Sequence, residues 1–148
     1  MKTISFDNGI KEFKIGDGIL RFNPTDPNVH ARFMEAADKI EAVEAEMIKS
    51  GESLKEADGA GILKLLAEAD TRIKDILGWV FGVSNDFNEI LGGVNLMAKA
   101  TNGERVVTNL LAALMPILQA GAKAYANEQI GNAVKKAQGN RAARRAKT

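Results

Sequence analysis

A predominantly helical α+β fold is predicted by three observations. Two apolar stripes, Val29, Phe33, Ala36, Ile40, Val43, Met47 and Ile62, Leu66, Ala69, Ile73, Ile76, Val80, each step by 4, 3, 4, 3 and 4 residues. That is the repeat of a helical seam. The segment before them instead alternates apolar and polar residues around glycine turns, which is strand patterning. The chain's 148 residues, 45% hydrophobic and 26% charged, suffice for one core. The expected order is a small N-terminal antiparallel β-meander, an antiparallel helical hairpin, a short helix and a long C-terminal helix. One globular domain is expected over 1–136, with the meander in 1–23 and the helices in 26–136, followed by a flexible basic tail over 137–148.

Three strands are expected within residues 3–22. Ile4 and Phe6 alternate with polar neighbours, Asn8-Gly9 is a type I′ hairpin signal, and Phe13 and Ile15 resume the alternation. Gly16-Asp17-Gly18 makes a second turn before Ile19–Phe22. Strands this short need a helix against their apolar face.

Asp26 and Pro27 suit the cap and first position of helix one. Gly51 supplies its stop. Ser53-x-x-Glu56 has the form of a capping box for helix two, and Asp58-Gly59-Ala60-Gly61 loosens its first turns. The matched stripes predict a hairpin whose helices stabilise each other by burial. They could also pair between chains, so a homo-oligomer stays open. Trp79, the only tryptophan, falls one residue off the second stripe in Gly78-Trp79-Val80-Phe81-Gly82. It is expected to cover the hairpin's end or to meet the next helix. Ser84 is expected to cap that short helix, which carries Phe87, Ile90 and Leu91 and breaks at Gly92-Gly93. Thr101-x-x-Glu104 has the form of a second capping box, opening the last helix. Pro116 should kink or interrupt that helix, which should fade after about Lys136.

Composition excludes several function classes. The absence of cysteine removes disulfides, thiolate zinc sites and thiol nucleophiles, and fits a reducing compartment. No apolar run follows Lys2, so no signal peptide is expected. The longest strongly apolar stretch, Leu110–Leu118, is nine residues, against the ~20 that span a bilayer. A soluble chain, neither secreted nor transmembrane, is the expectation. The net charge of +1 conceals an asymmetry. All 19 acidic residues and 14 of the 20 basic ones lie within 1–128, a balance of −5, and the last twenty positions hold six basic residues and no acid.

Candidate chemistry is sparse. His30, the only histidine, has no second ligand at metal-binding spacing. Ser5, Ser50, Ser53 and Ser84 lack a neighbouring base, and the carboxylates of the first helix read as a solvated face. Gly59-Ala60-Gly61 lacks the lysine of a phosphate loop and any preceding strand. Asp17 and its glycines lack the ligand count of a calcium loop. No enzyme, cofactor or metal site is therefore expected. Arg141, Arg144 and Arg145 could contact nucleic-acid phosphates in a salt-sensitive way. Without an aromatic residue to stack a base, a solvated end is the preferred reading. The run from Leu110 to Leu118 reads first as core and second as partner surface.

The order of these features resembles a family. A β-rich start leads through Phe22-Asn23-Pro24-Thr25-Asp26-Pro27 into an acidic helix, then to Val80-Phe81-Gly82 and a Phe87-containing helix. Gly92-Gly93-Val94-Asn95, Asn102-Gly103 and Asn109-Leu110-Leu111-x-x-Leu114-x-Pro116-Ile117 follow. Over residues 15–120 this is similar to small prophage and tailed-phage proteins of Gram-positive hosts related to tail assembly chaperones. The basic tail lies outside the resemblance. The resemblance implies a non-enzymatic helper that binds the tape-measure protein in the host cytoplasm and keeps it soluble during tail assembly, alongside other tail components. Trp79, Phe81, Phe87, Leu111 and Met115 are the candidate partner-binding residues. The alternative is a small structural or regulatory phage protein whose basic tail contacts nucleic acid.

Overall fold

The computed structural model describes residues 1–54 and 58–146, with side chains in the last helix described to 128 and at 131 and 133–139. The fold is α+β and mainly helical. Its sheet has two antiparallel strands, β1 (Lys11–Ile15) and β2 (Gly18–Phe22), with Phe13 opposite Leu20 and Ile15 opposite Gly18. Gly16 opens the two-residue turn at φ 58°, a left-handed conformation that costs glycine little. Alternation places Leu20 and Phe22 in the core while Ile19 and Arg21 face outward.

The expected third strand does not form. Asp7 and Asn8 accept the amides of Gly9 and Ile10 through their side chains at 2.9 and 3.1 Å. These local bonds occupy donors that a ladder would use. Ile4 and Phe6 stay 86% and 77% exposed, so their alternation has no buried face to follow.

Helices α1 (Pro27–Glu52) and α2 (Gly59–Phe81) form the expected hairpin. Asp26 caps α1 through the Asn28 amide at 2.9 Å, with Pro27 first in the helix. Val29, Ala36, Ile40 and Val43 of the first stripe are buried, as are Ala69, Ile73 and Val80 of the second. The buried face of α2 is wider than its stripe and takes in Lys74, Leu77 and Phe81, because α3, the following loop and α4 belong to the same core. Ile62, at the stripe's start, is exposed. The first capping box is not realised. Ser53 closes α1, and Asp58 caps α2 through the Gly61 amide at 2.9 Å. Glu56, its other half, lies outside the described residues.

The short helix α3 spans Phe87–Ile90, and its cap is Asp86 rather than Ser84. Asp86 accepts from the amides of both Asn88 and Glu89. Helix α4 (Val106–Ala146) likewise does not start at Thr101. Residues 99–105 make a tight bridge between Lys99 and Arg105. The first amides of α4, on Val106 and Val107, donate to the carbonyls of Ala98 and Leu96 at 2.9 Å each. Backbone carbonyls here satisfy the donors that a serine or threonine would otherwise take. The helix runs through Pro116, which is exposed, and continues past Lys136 to Ala146. Alanine, lysine, arginine and glutamine are strong helix formers, consistent with the extension.

The core is one cluster centred on Phe81. Its ring meets Phe22 at 4.8 Å, Phe87 at 5.8 Å and Phe33 at 6.2 Å, and Phe13 stacks on Phe22 at 5.0 Å. Sheet, hairpin and α3 therefore share one aromatic centre. Leu96, Met97, Val107, Leu110, Leu114 and Leu118 extend it under α4. Two glycines permit close backbone crossings. A Cβ at Gly18 would lie 2.1 Å from the Ile90 carbonyl oxygen, and one at Gly121 would lie 2.0 Å from that of Pro24.

Candidate functional site

The five apolar candidates divide by exposure. Phe81 and Phe87 are 5% and 2% exposed, so their rings complete the core and leave no face for a partner. Trp79 is 38% exposed, Met115 42% exposed and Leu111 half-buried. The Lys39 ammonium lies 3.8 Å from the centre of the Trp79 ring, a cation–π contact that covers part of it. Of the basic candidates, Arg141, Arg144 and Arg145 lie on the helical backbone of α4, outside the described side chains.

Trp79 borders a cleft of about 620 Å³, with Lys74, Asp75, Asp86 and Asn88 around it. Its inner wall is a polar network that sequence reading missed. Lys74 pairs with Asp70 at 2.9 Å and donates to the Asn88 side chain at 2.7 Å. The other Asp70 oxygen accepts from the Leu96 amide at 2.7 Å. Both ends of the ion pair are nearly buried, at 7% and 13% exposed. Such a pair persists only when its remaining hydrogen-bonding capacity is met, and here α3 and the loop before α4 meet it. Its one sequence signal is the four-residue spacing, which is also that of an ordinary surface pair.

Asn85 is the second missed residue. It is 5% exposed and binds the outer edge of β2 like a neighbouring strand. Its carbonyl accepts from the Arg21 amide at 2.9 Å, while its Nδ2 donates to the carbonyls of Arg21 at 2.8 Å and Phe81 at 3.0 Å. His30 is half-buried, its Nε2 donating to the Pro24 carbonyl at 2.7 Å. Both contacts are structural: each satisfies a backbone group where two elements cross.

The surface least like an ordinary solvated face is on α4. From Val106 to Ala122 the sequence carries no charged residue. One side of this span, with Val107, Leu110, Leu114 and Leu118, is buried against the body. The other presents Thr108, Ala112, Ala113, Met115, Pro116, Gln119, Ala120 and Ala122 to solvent. Read across its turns, α4 is apolar well beyond the nine-residue run. Within Val106–Gly139 a stretch of membrane-spanning length is apolar and mostly unburied. By length and composition it could span a membrane, although its first half is docked on the body. Exposed helix faces are normally charged; this one offers methyl groups, a thioether and a proline ring.

No family model, curated protein or solved structure matches this chain.

Proposed function

We propose that this chain is a non-enzymatic binding protein that holds a long, apolar, helical partner on the exposed face of α4. The observation that carries the reading is the uncharged span Val106–Ala122, with Met115 at the centre of its solvent side. A charge-free helix face docks another apolar helix at little desolvation cost. Helical pairing with Leu111 and Met115 would bury surface that is now wet. The sequence resemblance gives this partner an identity: the tape-measure protein of a phage tail, kept soluble in the host cytoplasm until tail subunits surround it. Phe81 and Phe87 belong to the core, and Trp79 stands partly exposed at the end of α2.

Co-expression with a tape-measure-like protein tests the reading. The expected result is a partner that stays in the soluble fraction with the chain and precipitates without it. Met115→Lys and Ala112→Glu should release the partner while leaving the chain folded, since both positions are exposed. Equal partner solubility with and without the chain would sink the proposal. So would association that survives both substitutions.

A further inference from the structure

We infer that the C-terminal part of α4 docks along the outer face of α1 in a second copy of this chain. Beyond Gly121, the residues of α4 through Glu128 are all exposed. This arm leaves the body without packing, although helices draw most of their stability from tertiary contacts. It is strongly basic. Residues 123–146 hold Lys123, Lys135, Lys136, Arg141, Arg144 and Arg145, against the single acid Glu128.

The outer face of α1 is its complement. Glu35, Asp38, Glu41 and Glu52 are exposed around Ala31, Met34, Ala42 and Ala45, and Met34 is 76% exposed. Among the described residues none of these four carboxylates is ion-paired, whereas Glu44 and Glu46 pair with Arg105 and Arg72. Two of the three basic side chains of α1 are engaged toward α2. Arg32 donates to the Val80 carbonyl at 3.0 Å and Lys39 covers Trp79, which leaves Lys49 on this face.

The two surfaces also match in length. At ~1.5 Å per residue the 26 residues of α1 run ~39 Å, and residues 122–146 run ~37 Å. Within one chain the outer face of α1 and the arm's residues 122–128 and 133–139 are exposed, so the complementarity is met by another copy. The surfaces differ, which makes the contact heterologous. Two of them close a dimer if exchanged reciprocally, and otherwise build a longer assembly. The inference does not depend on a tape-measure partner, because it uses neither Met115 nor the uncharged span.

Sedimentation velocity on the full chain, from micromolar to sub-millimolar, tests it at about 0.01 M and about 1 M salt. The Debye length falls between them from ~30 Å to ~3 Å. Self-association is expected at low salt and should weaken about tenfold or more at high salt. E35K/D38K/E41K and K123E/K135E/K136E should each be monomeric alone and associate when mixed, because the reversed charges again face opposite partners. A chain ending at Ala122 should be monomeric with unchanged thermal stability, which guards against misfolding of the charge variants. A monomeric wild type at low salt would overturn the inference, as would failure of the mixed variants to associate. A monomer that binds duplex DNA through the same lysines would overturn it in favour of nucleic acid.

Discussion

Replacing Asn85 with alanine removes three hydrogen bonds at once: one accepted from the Arg21 amide and two donated to the carbonyls of Arg21 and Phe81. A typical bond contributes ~1 kcal/mol net, and leaving a buried partner unsatisfied costs ~1–3 kcal/mol. Water reaching the Arg21 side of the gap would offset part of that second cost. A loss of ~3 kcal/mol is therefore expected for Asn85→Ala, or a fall in Tm of ~6–12 °C at this chain length. Asn85→Asp keeps the acceptor and loses both donors, so it should be destabilised comparably. Urea unfolding followed by Trp79 fluorescence measures both, since this single tryptophan sits three residues before Gly82, the C-cap of α2, and reports on the same junction. A loss under ~1 kcal/mol with an unchanged m-value would refute the reasoning. It would mean that the aromatic cluster alone holds β2 against α2.

Three further outcomes follow from the packing. Gly121→Ala gains ~1 kcal/mol of helix propensity on intrinsic grounds, yet its Cβ would meet the Pro24 carbonyl oxygen at 2.0 Å. The clash should win, and a calorimetric Tm above wild type would show that α4 does not press on Pro24. Lys74→Met strands Asp70 beside its one remaining partner, the Leu96 amide. It should cost about 3 kcal/mol by chemical denaturation, and a neutral result would show the pair to be dispensable. Trp79→Ala should cost only about 1–2 kcal/mol by circular dichroism melting, because the ring is 38% exposed and its Lys39 contact contributes ~0.5–1 kcal/mol. A loss above ~3 kcal/mol, the range of a fully buried aromatic, would contradict the observed exposure.

Local patterns were legible and long-range ones were not. The 4, 3 spacing located the hairpin core at Ile40, Val43, Ala69 and Ile73, and Asp26-Pro27 marked the start of α1. Both signals lie within one or two helical turns of sequence. The capping boxes failed because satisfying a helix's first amides is a contest between neighbours. Asp58 and Asp86 took two of these roles, and the carbonyls of Leu96 and Ala98 took another. Asn85 bonds to Arg21 across 64 positions, and nothing around Ser84-Asn85-Asp86 announces a strand-edge partner. Hydrophobicity nominated Phe81 and Met115 alike as binding residues. Which of them faces water depended on how β2, α1 and α3 converge on Phe81.

The crossing of Gly121 over Pro24 has a mechanical consequence. Gly121 is buried against Pro24, and the residues of α4 that follow it through Glu128 are all exposed. A helix extending ~37 Å beyond that contact converts small angles into large displacements: a bend of ~10° carries its tip ~6 Å, about one helical turn. Whatever grips the far end of α4 thereby gains leverage on the first strand-to-helix corner.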